Sequence, residues 1–454
     1  MLLLGGVAFA GCSSLPTIVP DLARPAGPAV QLESARGPLS PAQSKAVLDR
    51  LSASGQPTNI FDRHLALEEA IVGSPLTTGN QVTLLRDGPA TYDAMLTAIA
   101  AARDHINMET YILEDDEIGQ RFARALIDKQ RQGVQVNLIR DSVGTIGTPA
   151  AFFERLTASG IRVLEFNPLN PMVARQDWEL NQRDHRKLLI VDGRTAFLGG
   201  INISSVYSSG SSGRTSRTRP PLEAGPGWRD TDLQLQGPAV AELQKLFLSA
   251  WKKQEGEPLA AKNYLPALQP AGRQVVRVIG SSPEEAYSLI YATLLSAIAS
   301  AETSVHLTNA YFVPDPQLLA ALQASAQRGV DVTLILPGQT DSPLVFHAGR
   351  SYYSQLLRAG VKIYERRGAI LHSKTALVDG VWATVGSTNL DWRSFLHNHE
   401  LNAVVLGAEF GQQLQTMFER DLAASDAIVL AAWERRTLDL RMQEAFARAW
   451  AYWL

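Results

Sequence analysis

The sequence predicts an α/β fold made of two similar domains. Segments with a helical pattern alternate along the chain with short β-branched runs, and this alternation is typical of sheets covered by helices. The second part of the chain repeats the pattern of the first. With 454 residues the chain is too long for one ordinary core, and its 45% hydrophobic and 19% charged residues indicate a globular protein.

The internal repeat can be followed element by element. Each unit is a helical segment, a glycine break and an apolar run that favours a strand. The matched segments, first copy and then second, are 92–103 and 287–301, 106–112 and 305–312, 133–139 and 329–335, and 160–164 and 360–364. This repeat predicts one domain at residues 75–255 and a second at residues 272–425.

Each copy then carries the same polar motif. The first copy reads HRKLLIVDG and later GGIN, and the second reads HSKTALVDG and later GSTN. His, Lys, Asp, Gly, Gly and Asn recur at the same spacing, and at roughly one in 20 per position six such matches among a few hundred frames arise by chance about once in 10^5. The polar members are His185, Lys187, Asp192 and Asn202 in the first copy, and His372, Lys374, Asp379, Ser387 and Asn389 in the second.

The spacing of the motif predicts a pocket for an anionic tetrahedral group. Side chains at positions i and i+2 leave the same face of a strand, so each His and Lys point into one space. The Asp-Gly pair is typical of a tight hairpin, and for Asp192 and Asp379 a role in the turn alone is an open alternative. Glycines at the end of the returning strand allow a ligand to approach, beside amide and hydroxyl donors.

These motifs resemble the signature of the phospholipase D superfamily, HxKxxxxD followed by GGxN or GSxN. Within that superfamily the chain is similar to bacterial cardiolipin synthases, of which the stretches NAYFVPD from Asn309 and GSTNLDWRS from Gly386 are typical. The resemblance implies two α/β domains related by a pseudo-twofold axis, with both motifs in one shared cleft.

The resemblance also implies a mechanism. It assigns His185 as the nucleophile that forms a phosphohistidine, and His372 as the group that protonates the leaving alcohol and activates the incoming one. The reverse assignment stays open, because the sequence does not break the symmetry. Lys187 and Lys374 would neutralise phosphate charge, so we expect no metal and no other cofactor.

A carboxylate after each motif is expected to orient a catalytic histidine. Asp232 follows the first motif and Glu400 follows the second. A carboxylate on the far ring nitrogen selects the histidine tautomer and favours the imidazolium. A surface acid on a strand is the alternative for both, and a metal site at His397 and His399 is a weaker one, because no third ligand is evident.

The function that we expect is transfer of a phosphatidyl group between alcohols to make cardiolipin. Phosphatidylglycerol is the expected acceptor, and either phosphatidylglycerol or phosphatidylethanolamine is the donor. Hydrolysis of phospholipids to phosphatidic acid is the main alternative, followed by a phosphodiesterase nuclease. A net charge of -3 disfavours nucleic acid as a partner, and two complete motifs disfavour a non-enzymatic binding protein.

The N-terminus is predicted to target the protein to a membrane surface. Residues 1–12 are an apolar run that ends at Cys12, the single cysteine, and resemble a lipoprotein signal segment. Residues 13–74 are rich in Pro, Ala and Ser and are predicted to be a linker with short helices, one of them over 42–51. We therefore expect an exported protein, anchored on the periplasmic side through lipidated Cys12.

Two further segments have open roles. Residues 204–227 form a Ser/Gly/Pro/Arg-rich insertion with Arg214, Arg217 and Arg219, either a lip that contacts anionic headgroups or an inert loop. The tail, 426–454, carries apolar residues at helical spacing. It is expected to be an amphipathic helix, either at a membrane interface or packed on its own domain.

Overall fold

The computed structural model describes residues 30–56, 58–170, 172, 179, 181–208 and 227–454. Cys12 and the insertion residues Arg214, Arg217 and Arg219 lie outside the described residues. None of the helices in the described part of the chain combines the length and the apolar character that crossing a membrane requires.

The first half of the chain forms a mixed sheet covered by helices. Its strand order is β6-β5-β4-β8-β9-β11-β3, in which β4, β5 and β6 are parallel and the other neighbours are antiparallel. The chain before and through this half contains β1 (Leu32–Ser34), β2 (Gly37–Pro38), α1 (Pro41–Ala53), α2 (Leu65–Ile71), β3 (Leu76–Leu85), α3 (Gly88–Ala101), β4 (His105–Thr110), α4 (Glu117–Arg131), β5 (Gln135–Asp141), α5 (Ala150–Ala158), β6 (Arg162–Phe166), β7 (Arg183–Asp184), β8 (Leu188–Val191), β9 (Thr195–Gly199), β10 (Trp228–Arg229), β11 (Asp232–Gln236) and α6 (Ala239–Lys253).

The second half repeats this sheet strand by strand. Its order is β15-β14-β13-β17-β18-β19-β12, with the same parallel and antiparallel neighbours. Its elements are β12 (Gln274–Ser281), α7 (Leu289–Ser300), β13 (Ser304–Asn309), α8 (Pro316–Gln327), β14 (Asp331–Pro337), α9 (Pro343–Arg350), α10 (Tyr353–Arg358), β15 (Lys362–Arg366), β16 (Ile370–Leu371), β17 (Lys374–Val378), β18 (Trp382–Gly386), α11 (Trp392–Leu396), β19 (Asn398–Leu406) and α12 (Ala408–Ala423), followed by β20 (Ser425–Ala427), α13 (Leu430–Trp433) and α14 (Leu438–Arg448). The predicted fold class of two similar α/β halves is confirmed.

Corresponding helices begin in the same way in both halves. Asp116 Oδ1 accepts a hydrogen bond from Gly119 N at 2.9 Å and starts α4, and Asp315 Oδ1 accepts from Leu318 N at 3.2 Å and starts α8. A short polar side chain before the first turn satisfies a backbone N–H that has no partner within the helix. The repeat therefore extends to the caps.

The two sheets are joined along their equivalent edge strands. β3 pairs antiparallel with β12, and antiparallel pairing of equivalent strands is what a twofold axis generates. Behind this junction the halves share a hydrophobic core, in which Phe247 of α6 and Phe410 of α12 are fully buried. Because this core is common to both halves, their relative position is set by close packing.

The described part of the predicted linker is folded. β1 pairs parallel with β3, and Ile60 and Leu65 are buried in the core of the second half. Glu68 of α2 also lies fully buried, with its carboxylate 3.3 Å from Arg277 Nε and 2.9 Å from His64 Nε2. From residue 30 onwards the prediction of a linker is therefore wrong, because these apolar side chains pack into a hydrophobic core.

Candidate active site

Short parallel strand pairs carry the two motif histidines across the boundary between the halves. β7, just before His185, pairs with the start of β19, and His185 N donates to His399 O at 3.0 Å. β16, just before His372, pairs with β10, and His372 N donates to Arg229 O at 2.7 Å. Each histidine is thus held by the strand that leads to a carboxylate of the opposite half.

Each histidine contacts the carboxylate that this pairing brings near. His185 Nδ1 lies 3.0 and 3.1 Å from the two carboxylate oxygens of Glu400. His372 Nδ1 lies 2.6 Å from Asp230 Oδ2. A carboxylate at Nδ1 keeps the proton on that nitrogen and leaves Nε2 of each ring for a reacting atom.

Asp230 stands where the sequence predicts Asp232, and that assignment is corrected. Asp232 pairs with Gly199 in the sheet, and its Oδ1 accepts a hydrogen bond from Ile201 N at 3.1 Å. Its counterpart in the second half is Asn402, which pairs with Gly386. The register of the returning strands therefore aligns Asp230 with Glu400 and Asp232 with Asn402.

A signal in the sequence could have found Asp230. Both returning strands end at a glycine with φ of 108°, Gly237 and Gly407, a conformation that disfavours other residues. Counting back seven positions from each glycine reaches Asp230 and Glu400. Alignment on the strand ends, rather than on the nearest acidic residue, identifies the correct pair.

The side chain of each motif lysine turns back to the backbone of the histidine two residues before it. Lys187 Nζ donates to His185 O, and Lys374 Nζ donates to His372 O. Both side chains are almost fully buried. Burial lowers the pKa of Lys187 to about 7 and that of Lys374 to about 8, although the nearby carboxylates Glu400 and Asp230 act in the opposite direction.

Burial also shifts the pKa values of the histidine–carboxylate pairs. The pKa of His185 is lowered well below its usual value, by burial and then by Lys187. Burial lowers the pKa of His372 as well, and Lys374 adds to this effect while Asp230 opposes it. The pKa of Glu400 rises to about 7, chiefly because the carboxylate is buried. Burial thus disfavours the imidazolium form of both histidines, and Asp230 partly offsets this effect at His372.

Three residues predicted to bind phosphate occupy different positions. Asn202 and Asn389 line the same cavity as the histidines. Asn202 Oδ1 accepts from Ile112 N at 3.1 Å, whereas Asn389 Oδ1 is buried without a hydrogen-bond partner. Ser387 donates to Glu400, so its hydroxyl orients the carboxylate and does not face the cavity.

The motif aspartates lie at the far ends of their strands. Asp192 accepts hydrogen bonds from the backbone of Arg103, Asp104 and His105, the residues that lead into β4. Asp379 does the same for residues 302–304 before β13. Their expected place among the catalytic groups is corrected, because each carboxylate fixes a loop and neither lines the cavity.

Both histidines line one cavity of about 350 Å³ at the boundary between the halves. Tyr111 lies edge-on to His185 with ring centroids 5.1 Å apart, and Trp228 lies 5.0 Å from His372. Tyr207 OH lies 3.3 Å from His372 Nδ1. Tyr111 and Trp228 line the cavity, and all three rings pack against the imidazoles. Sequence reasoning did not single out any of these rings.

The alternative metal site at His397 and His399 gains no third ligand. Among the residues that the structure describes, no group of three His, Cys, Asp or Glu side chains is arranged to hold a metal ion. His399 Nε2 lies 3.7 Å from Glu284 Oε1, and its ring lies edge-on to Phe166.

Comparison with known proteins agrees with this arrangement. A family model described as "Cardiolipin synthase, PLD-like domain" matches residues 95–209 and 294–422. The chain is 35% identical over 387 residues to a cardiolipin synthase of Geobacillus kaustophilus, covering 85% of this chain and 74% of that protein. It is 36% identical over 366 residues to cardiolipin synthase 2 of Bacillus anthracis, covering 80% of this chain and 69% of that protein.

A solved structure shares the fold. The phosphatidylserine synthase of Haemophilus influenzae superimposes with a TM-score of 0.60 at 14% identity, covering 86% of this chain and 97% of that chain.

The position of Asp192 predicts a structural role. Asp192→Ala removes the acceptor of three backbone N–H groups and places alanine at φ of 54°, so we expect a loss of about 2–4 kcal/mol of stability. Thermal unfolding measures the loss. Asp192→Asn, which keeps one acceptor oxygen and tolerates this φ, is the matched control and should lose less. Equal melting temperatures for all three proteins would contradict the role.

Proposed function

Since the chain belongs to the cardiolipin synthase family of phospholipase D-like proteins, we propose that it makes cardiolipin from phosphatidylglycerol and a second phospholipid. It is a phosphatidyltransferase of the phospholipase D type. The observation that carries the proposal is the presence of two histidine–carboxylate pairs, each built across the two halves, around one cavity.

In the first half-reaction His185 acts as the nucleophile. Its Nε2 attacks the phosphorus of the donor lipid, an N–P bond forms, and the bond from phosphorus to the headgroup oxygen breaks. His372 acts in its imidazolium form, which Asp230 and the anionic phosphate favour, and it gives its Nε2 proton to the departing alcohol, glycerol or ethanolamine. Splitting the displacement in this way replaces one difficult step by two easier ones.

In the second half-reaction His372 acts as the base and His185 is the leaving group. His372 now accepts the proton of a phosphatidylglycerol hydroxyl, and the resulting oxygen attacks phosphorus. The N–P bond breaks, cardiolipin is released, and His185 is restored. Glu400 and Asp230 hold the two rings in one tautomer and stabilise the imidazolium that forms on each.

The lysines and asparagines support the transferred phosphate. An anionic phosphate beside Lys187 and Lys374 raises the pKa of both lysines and so stabilises their charged forms. This interaction accounts for two buried ammonium groups in the site. Asn202 and Asn389 line the cavity and offer amide donors to the phosphoryl oxygens. Charge neutralisation by the chain's own lysines supports a mechanism without a cofactor.

Product analysis tests the proposal. We expect the purified protein to make cardiolipin from phosphatidylglycerol vesicles, alone or with phosphatidylethanolamine, and EDTA should not prevent it. His185→Ala and His372→Ala should each abolish the product, because one removes the nucleophile and the other the acid and base. Mass spectrometry of the extracted lipids is the measurement.

The other outcomes of this test separate the competing functions. Phosphatidic acid without cardiolipin would replace synthesis by hydrolysis, with water as the acceptor. The absence of any lipid product would turn attention to other phosphodiesters, including nucleic acids.

The paired substitutions Asp230→Asn and Asp232→Asn test the corrected partner of His372. Asp230→Asn removes the charge beside the imidazole, so we expect kcat to fall by roughly 10²–10⁴-fold. Asp232→Asn should change kcat far less, because Asp232 contacts the sheet backbone and not His372, and because Asn402 already occupies the matching position. Steady-state kinetics on phosphatidylglycerol decides between them. A larger loss for Asp232→Asn would restore the sequence-based assignment.

We also propose that the protein is exported and anchored at the periplasmic face of a membrane. The support is the apolar run that ends at Cys12. Lipidation adds about 0.8 kcal/mol of membrane affinity per buried methylene. Cys12→Ser should therefore move a substantial share of the protein from the membrane fraction to the soluble fraction. Cell fractionation with immunodetection measures this, and an unchanged distribution would contradict lipid anchoring at Cys12.

A further inference from the structure

The C-terminal helix α14 turns its apolar side chains outward. Five large apolar residues, here called the outward strip, follow one side of this helix and the turn after it: Leu438, Met442, Phe446, Trp450 and Trp453. Their exposed fractions are 75%, 72%, 64%, 48% and 53% in that order. Large apolar side chains that cluster on a surface mark an interaction site more often than isolated ones do.

The opposite side of α14 fixes this orientation. The helix packs on α9, and the residues that it buries are Glu444 and Ala447. Glu444 is held by Arg436, whose Nε lies 3.0 Å from both carboxylate oxygens. The sequence left open whether the tail packs on its domain or lies at an interface. The helix packs through its small and charged side, and the large apolar side chains of the outward strip remain about half exposed or more.

The outward strip reaches the mouth of the catalytic cavity. Trp453 and the next residue, Leu454, are among the residues that line the cavity. Leu454 O accepts a hydrogen bond from Arg393 N at 3.1 Å, and Arg393 also lines the cavity. Val345 of α9 lines it as well. The strip and the reaction site are therefore parts of one continuous surface.

We propose that the outward strip inserts into the surface of a phospholipid bilayer and seats the cavity mouth on the membrane. The occupant follows from the proposed function, on which this inference rests, because the substrate is a lipid that must enter from a bilayer. A cavity of about 350 Å³ is at the lower end of the range for a drug-sized ligand, so it accommodates a headgroup and leaves acyl chains outside. The strip supplies apolar contact for those chains.

The net charge near the strip is small, so we expect apolar insertion rather than electrostatic attraction to drive binding. From Trp433 to Leu454 four arginines stand against three acids: Arg435, Arg436, Arg441 and Arg448 against Glu434, Asp439 and Glu444. An excess of one positive charge adds little attraction to an anionic surface. Two tryptophans, whose rings suit the boundary between headgroups and chains, strengthen the apolar contact. Binding should therefore depend weakly on salt.

Vesicle sedimentation tests the proposal with two neighbouring substitutions, both made in protein that carries Cys12→Ser so that the proposed lipid anchor does not hold every variant on the vesicles. Met442→Glu places a carboxylate in the strip, and Gln443→Glu places the same charge beside it on an exposed position of the same turn. We expect Met442→Glu to weaken binding to phosphatidylglycerol vesicles by at least about tenfold, at low and at high salt, and Gln443→Glu to bind as the wild type does. Phe446→Glu should repeat the loss. Unchanged melting temperatures establish that the variants are folded.

Activity in two lipid presentations separates this inference from the function on which it rests. The ratio of cardiolipin synthesis on vesicles to that in detergent micelles should fall about tenfold or more for Met442→Glu, in step with its vesicle binding. Wild-type-like vesicle binding by Met442→Glu and Phe446→Glu would overturn the docking surface. This conclusion would hold even if the same substitutions changed the oligomeric state of the protein. No cardiolipin from the wild type in either presentation would overturn the proposed function, while sedimentation would still decide docking.

Discussion

The site depends on one constraint: each half supplies the carboxylate that contacts the motif histidine of the other half. His185 reaches Glu400 and His372 reaches Asp230 only because each histidine strand pairs with the opposite half. In the described structure, the carboxylate at Nδ1 of each motif histidine comes from the opposite half. A duplicated domain therefore becomes one site, and the shared core behind β3 and β12 keeps the two parts in register.

Burial gives the site its electrostatic character. Burial brings the pKa values of Lys187 and Lys374 to about 7 and 8 and that of Glu400 to about 7, so all three groups titrate near neutral pH. Desolvation of charge is costly, and an anionic phosphate that enters beside the lysines offsets part of that cost. The depth of these polar groups supports the proposal that the site takes an anionic phosphate.

The residues around the cavity are suited to a reaction between lipids. Aromatic rings contact both imidazoles, and both histidines are nearly buried. The C-terminal turn closes one side through Arg393 and Leu454 and continues into the apolar strip of α14. An enzyme that transfers a lipid group to another lipid needs both features, because water is the competing acceptor and the bilayer is the source of both substrates.

The sequence by itself determined the duplicated α/β fold and the motif residues, because strand periodicity and identical spacing are local properties that survive without coordinates. His185, Lys187, His372 and Lys374 could be identified in this way. The tertiary structure decided which carboxylate serves which histidine, since strand register and the exchange between halves are long-range. It replaced Asp232 by Asp230, and for Asp192 it favoured the structural role that the sequence had left open. It also oriented α14, because a helical pattern identifies an apolar face but only packing shows where that face points.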